Sequence, residues 1–107
     1  MSTIYLNVNN KGRRHTWLSR QHDNTADYSI LIEKEDLLHA LQSKSTAAAN
    51  VCFGRRSCGV YCYVDDYRIT GRDTKWGIGK DIDEYKTSRL GLLKEIKRID
   101  HEDSSHD

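Results

Sequence analysis

Apolar residues recur at every second position in several short segments of this chain, and that spacing most constrains how it can fold. In one segment Ile4, Leu6 and Val8 alternate with less apolar neighbours, and residues 58–64 repeat the alternation. A period of two is that of a β-strand with one buried face. Residues 9–12 read Asn-Asn-Lys-Gly, which is typical of a tight turn. The pattern therefore predicts short strands joined by turns in a mostly antiparallel sheet.

Two segments change to the spacing of a helix. In residues 35–43, Leu37, Leu38 and Leu41 fall on one helical face. We expect the last helix to begin at Asp81, with Glu84 reaching back to complete the cap. One apolar stripe on this helix would comprise Ile82, Tyr85, Leu92, Leu93, Ile96 and Ile99. The predicted order is β-β-β-α-β-β-β-α, an α+β fold with the helices on one side of the sheet.

Size and composition indicate one small domain. The chain has 107 residues, of which 36% are hydrophobic and 31% charged, enough for one modest core. We expect a single compact domain over residues 1–99 and an acidic, disordered tail over 100–107. No apolar stretch is long enough to cross a bilayer, and the first residues do not resemble a signal peptide. With an odd number of cysteines, which favours reduced thiols, these features predict a cytoplasmic protein.

The sequence favours a binding protein over an enzyme, because no motif supplies a catalytic residue, a cofactor site or a metal site. Cys52, Cys58 and Cys62 lack the closely spaced pairs of structural zinc sites, and we interpret them as small core residues. The carboxylates of Asp65, Asp66 and Asp73 are oxygen ligands of the type that divalent cations take, yet paired Asp at a turn more commonly caps backbone groups. Arg89 interrupts the apolar stripe, and we expect it to pair with one of these three aspartates or to extend its charged end to solvent.

Basic and aromatic residues form the candidate binding surfaces. They comprise a basic hairpin, a tyrosine pair and cations assigned to the last helix: Arg13, Arg14, Arg20, Tyr61, Tyr63, Lys86, Lys94, Lys97 and Arg98. We expect the tyrosines to be exposed, because binding hot spots favour Tyr, Trp and Arg.

The preferred interpretation is a non-catalytic protein that occludes a macromolecular partner, as inhibitors, immunity proteins and phage or mobile-element accessory proteins do. The expected partner is a protein, with no membrane contact and with the oligomeric state left open. The alternative is nucleic-acid binding through the basic hairpin and the basic helix face. A third interpretation is a metal-independent ribonuclease, in which His15 or His22 serves as acid or base and Arg13 and Arg14 bind phosphate.

From residue 35 onward the predicted order α-β-β-β-α resembles that of a double-stranded-RNA-binding domain, with Lys86 near the start of the last helix. The chain departs from that family at the doubled lysine, where Asp83 and Glu84 stand. The resemblance implies RNA binding by the last helix.

Overall fold

The structure, a computed structural model, describes residues 3–9, 15–56, 59–75 and 82–105 and contains seven strands and two helices. In chain order these are β1 Thr3–Asn9, β2 His15–Ser19, β3 Tyr28–Glu33, α1 Lys34–Gln42, β4 Ala48–Arg56, β5 Gly59–Val64, β6 Tyr67–Lys75, β7 Ile82–Ser88 and α2 Arg89–Ser105. The α+β class and the two helices are confirmed, and β7 is additional to the predicted order.

The strands form a continuous antiparallel sheet in the order β2-β1-β3-β6-β5-β4-β7. Strand β6 joins its two halves, since residues 67–71 pair with β5 whereas residues 72–75 pair with β3. The antiparallel pairing predicted from the alternation is thus confirmed.

The sheet curves until its two outer strands approach each other. Thr16 on β2 donates a hydrogen bond from Oγ1 to Oγ1 of Thr87 on β7, at 2.8 Å. Beside this contact, the backbone N–H of Leu18 donates to Oε1 of Glu95 on α2, at 3.1 Å. Part of the open edge of β2 is therefore covered by β7 and α2, which protects it from pairing with another chain.

Both helices pack on the concave face of the sheet and enclose the core. Ile4, Leu6 and Val8 of β1 are each at most 1% exposed, as the alternation predicts. The helices add Leu37 and Leu41 from α1 and a row from α2 made of Leu92, Ile96 and Ile99. Leu93, predicted to belong to the principal cluster, is only partly buried at its margin. From sequence we also expect Trp76 and Ile78 to join Leu92, Leu93 and Ile96 in this cluster, but these two residues lie outside the described residues.

The prediction that the last helix begins near residue 81 is wrong, because residues 82–88 form β7. Tyr85 is buried while Glu84 and Lys86 are exposed, which is the alternation of a strand. Glu84 therefore cannot complete a helix cap, and Ile82 and Tyr85 leave the predicted stripe. Ser88 caps α2 instead, since its Oγ accepts the N–H of Gly91 at 3.0 Å. The resemblance to an RNA-binding domain also fails, because four strands separate the two helices.

At its other end α2 continues to Ser105, past the boundary expected at residue 99. Asp100 forms an ion pair with Lys34, the first residue of α1. The division into a domain and a tail stays a prediction. Within the described ranges, no helix is both long and apolar enough to cross a membrane.

Gly71 lies where β6 passes from one half of the sheet to the other. A Cβ atom at this position would stand 2.6 Å from Cγ1 and Cδ1 of Ile30 and 2.9 Å from Cγ2 of Ile32. Both isoleucines are buried, so the clash cannot be relieved toward solvent.

We predict that Gly71→Ala lowers the free energy of unfolding by about 1–3 kcal/mol in urea denaturation. Gly91→Ala, whose Cβ would meet only Ser88 at 3.2 Å, should change it by less than about 1 kcal/mol; equal effects would contradict this account.

The two adjacent leucines of α2 provide a test of how the helix docks. Leu92 is 1% exposed whereas Leu93 is only partly buried. Leu92→Ala should therefore cost about 2–5 kcal/mol of stability, and Leu93→Ala distinctly less. The same urea titrations measure both variants. A larger loss for Leu93→Ala would mean that α2 docks by another face.

Candidate binding surface at the start of α2

The guanidinium of Arg89 is the centre of the junction between α2 and the rest of the chain. The residue is 4% exposed, and its Nε donates to the carbonyl of Thr46 at 2.7 Å. Nη1 donates to the carbonyl of Leu41 at 3.0 Å, and Nη2 lies 3.1 Å from the carbonyl of Ala48. Arg89 also donates its backbone N–H to Ala47 at 3.0 Å. One side chain thus binds the end of α1, the loop that follows it and the beginning of β4.

Asp65, in the turn between β5 and β6, supplies the negative charge for this junction. Its Oδ2 accepts from Nη2 of Arg89 at 2.7 Å, and both side chains are almost fully buried. Its Oδ1 accepts the N–H of Asn50 at 3.2 Å. Burial acts to raise the pKa of Asp65, but the bonds from Arg89 and Asn50 and the charge of Arg89 outweigh it, so the pKa is lowered. Of the two alternatives expected for Arg89, a pair with a turn aspartate or a charged end in solvent, the structure shows the first.

The neighbouring Asp66 pairs with Lys44 at 3.2 Å, on the surface. Asp65 and Asp66, two of the three aspartates considered for a cation site, are therefore already paired with Arg89 and Lys44. Their position at the turn explains the residue type, since Asp65 has a φ of 57°, a backbone conformation that Asp tolerates better than most residues.

A groove lies above Arg89, between the loop after α1 and the first turn of α2. Its volume is about 580 Å³. Apolar side chains from both walls line it: Leu41, Ala47, Leu90 and Leu93. Lys44 stands at its margin, and no acidic residue is among the described residues that line it. A second groove of about 440 Å³, lined by His39, Gln42, Ser43 and Tyr67, shares Gln42 with the first.

Leu90 and the cations beyond it define what we call the α2 surface, made of Leu90, Lys94, Lys97 and Arg98. All four residues are exposed, Leu90 by 61%. They lie three or four residues apart, so they share one side of the helix. The acids of the same segment point elsewhere, because Glu95 binds β2 and Asp100 binds α1. The helix thus presents an apolar side chain and three cations outward.

Of the other predicted cations, Lys86 lies away from this surface. Lys86, assigned to the helix from sequence, is exposed on β7 and points away from the helices, since Tyr85 beside it points into the core. Arg20 is exposed just after β2. Arg13 and Arg14 lie outside the described residues. Among the predicted cations that the structure describes, Lys94, Lys97 and Arg98 share one side of a helix.

The tyrosine pair occupies the convex face of β5. Tyr61 and Tyr63 meet edge to face with ring centroids 5.5 Å apart, and the guanidinium of Arg68 lies 5.4 Å from the centre of the Tyr61 ring. The expectation that Tyr61 is exposed is wrong, because it is only 7% exposed. Tyr63 is half-buried. With its ring face covered by Arg68, Tyr61 offers little area to a partner.

The two histidines considered for a ribonuclease are held apart. His15 pairs with Asn9 on β1 and stacks on Trp17, whereas the ring of His22 contacts Tyr5. Tyr5 and Asn9 lie about 13 Å apart along β1, at about 3.3 Å per residue. The structure therefore gives the histidines separate partners at opposite ends of one strand.

The described cysteines have the character of protonated thiols. Burial raises the pKa of Cys62, which is fully buried. Burial and the nearby Glu84 carboxylate, 3.8 Å from Sγ, raise the pKa of Cys52. A raised pKa suppresses the thiolate on which nucleophilic chemistry depends. Cys58 lies outside the described residues.

Sequence reasoning missed the groove and its exposed Leu90, although a signal was present. At 100° per residue Leu90 lies about 160° around the helix from Leu92, so it cannot join the buried row. The two walls of the groove come from segments more than forty residues apart in the sequence, such as those of Leu41 and Leu90. No local sequence pattern indicates that these segments lie close together.

Comparisons with protein-family models, with curated proteins and with solved structures find no match for this chain. The function is therefore inferred from the geometry of the chain itself.

The buried pair Arg89–Asp65 leads to a prediction with an internal control. Asp65→Ala leaves a buried guanidinium without its counter-charge and should cost about 3–5 kcal/mol at neutral pH. Asp66→Ala removes only a surface pair and should cost about 0–1 kcal/mol. Because the pKa of Asp65 is lowered on folding, its contribution is complete above the unfolded pKa of about 3.9 and is lost as pH falls through the folded value. Urea titrations at neutral and acidic pH should show the Asp65→Ala penalty shrinking below about pH 4; a penalty independent of pH, or equal for both variants, would contradict this role.

Proposed function

We propose that this chain is a small non-catalytic protein that binds and occludes a protein partner, as inhibitors and immunity proteins do. The observation that carries this proposal is the segregation of residues on α2. Leu90 and three cations face outward, while Glu95 and Asp100 are bound within the molecule. A single exposed leucine is ordinary on a protein surface. Beside an apolar groove and a cationic cluster, it has the composition of an interface centre with a charged rim.

A protein partner is favoured over nucleic acid by the charge along α2. In the sequence the basic cluster is followed by Glu102, Asp103 and Asp107, and acids this close to the cluster would repel a phosphate chain. Stacking of bases is also disfavoured, since Tyr61 is buried beneath Arg68. The basic groups suit a protein surface with a localised negative patch.

The ribonuclease interpretation is the least supported. Acid–base catalysis needs its groups within hydrogen-bond reach of one substrate, whereas His15 and His22 contact opposite ends of β1. The proposal includes a cytoplasmic location, which is supported by free thiols at Cys52 and Cys62.

Charge reversal on α2 tests the proposed surface. The partner is obtained by affinity purification with the intact chain from its native host, and association is then followed by surface plasmon resonance. The double variant Lys94→Glu/Lys97→Glu should slow association by roughly tenfold or more, because charges at the rim of an interface steer the encounter. Lys86→Glu, an exposed lysine on the convex face of the sheet, is the matched control and should leave the rate nearly unchanged.

A nucleic-acid function predicts a different result in the same preparations. Micromolar or tighter binding of an oligonucleotide at physiological salt, with a salt dependence that flattens by about one unit of slope for each lost phosphate contact, would contradict the proposal. So would equal effects of the α2 reversal and of Lys86→Glu.

A further inference from the structure

The groove above Arg89 adjoins the most exposed large apolar side chains among the described residues. Among the residues whose side chains the structure describes, Leu90 and Tyr67 are the two large hydrophobic residues that are exposed, at 61% and 38%. Leu90 lines the first groove and Tyr67 the second, and the two grooves meet at Gln42. Exposed apolar area is therefore concentrated in one region instead of being scattered, which is typical of an interaction site.

The size of the groove suits an anchoring side chain. A volume of about 580 Å³ lies within the range of about 300–1,000 Å³ that is common for ligand pockets. Ala47, Leu90 and Leu93 provide apolar surface, with the buried Leu41 behind it, and the polar groups of Arg89 already have partners. An apolar group can therefore enter without leaving the guanidinium unpaired.

The groove is also held in shape before any partner arrives. Arg89 binds the carbonyls of Leu41 and Thr46, two residues that line the groove, and that of Ala48, which follows them at the start of β4. A wall fixed in this way loses little freedom on binding, and such preorganisation favours affinity.

Two lysines stand beside the groove. Lys44 stands at one side, and Lys94 lies one helical turn beyond Leu90. The first turn of α2 opens on the same side and adds the positive end of its dipole. Among the described residues that line the groove none is acidic; Asp66, the acid bound to Lys44, lies outside it.

We infer that this groove is the anchor site for an acidic segment of the partner, in which a large apolar side chain enters between Leu90 and Leu93 while adjacent carboxylates approach Lys44 and Lys94. The inference rests on the proposed function and specifies the chemistry of the partner. An acidic amphipathic helix meets both requirements, because residues three and four apart place apolar and charged groups side by side.

Three synthetic peptides test the inference without the natural partner. The first is a fluorescein-labelled, helix-forming peptide with leucines at three- and four-residue spacing and glutamates between them. The second replaces each glutamate by lysine, and the third replaces each leucine by serine. In fluorescence anisotropy with the intact chain, the first peptide should bind roughly tenfold or more tightly than either of the others, a difference of at least about 1.4 kcal/mol. Amide shifts in NMR spectra should change at residues 41–47 and 88–93.

Leu90→Asp is the decisive variant, because it places a carboxylate in the groove at an exposed position where folding tolerates it. An acidic residue in the first turn of a helix is favourable, and an unchanged melting temperature will confirm that the variant folds. Binding of the acidic peptide should weaken by roughly tenfold or more. Gln21→Asp adds the same charge at an exposed position in the loop after β2 and should leave binding unchanged.

Four outcomes would overturn the inference. The first is equal binding of the glutamate and lysine peptides, and the second is peptide binding that Leu90→Asp does not weaken. The third is NMR shifts confined to the convex face of the sheet. The fourth is self-association of the chain that Leu90→Asp abolishes, which would identify a second copy as the occupant. The proposed function is tested separately on the captured partner. If the α2 reversal weakens that complex while Leu90→Asp does not, the inference fails and the proposed function stands.

Discussion

The ion pair between Arg89 and Asp65 is the interaction on which the arrangement of the other elements depends. It joins the first residue of α2, the end of α1, the beginning of β4 and the turn between β5 and β6. Burying two charges is costly unless they are paired and their remaining hydrogen-bonding groups are satisfied. Here backbone carbonyls accept most of the other donors of Arg89, so only one placement of these segments satisfies it. We regard the pair as a device that specifies geometry more than one that adds stability.

The candidate site is a consequence of that geometry. Because Arg89 occupies the floor, the apolar residues next to it in sequence are divided between two environments. Leu92 is drawn into the core and Leu90 is left at the surface. The loop after α1, on the other side of the groove, is bound by the same guanidinium. In the inferred anchor site, one buried residue thus holds both sides of the groove in place.

The sequence predicted the features that depend on local pattern. The alternation of Ile4, Leu6 and Val8, the Asp65-Asp66 turn and the pairing of Arg89 follow from spacing and residue chemistry. The strand β7 was missed because Ile82 and Tyr85 also fit a helical stripe, and only pairing with β4 decides between the two. The assignment of Lys86 to the helix was wrong for the same reason, since Lys86 lies on β7. Similarly, the burial of Tyr61 depends on Arg68 from the next strand, which no single segment reveals.

The contact between Thr16 and Thr87 has a consequence for how the chain reaches its native state. These residues are 71 positions apart, and β6 must also find β3 across a large part of the chain. Such pairings require long loops to close before any stabilisation is gained, which slows folding. On the ribosome, β2 emerges long before β7 and α2, so its outer edge waits unpaired until synthesis is well advanced. The molecule is therefore most prone to associate with other chains while it is being made.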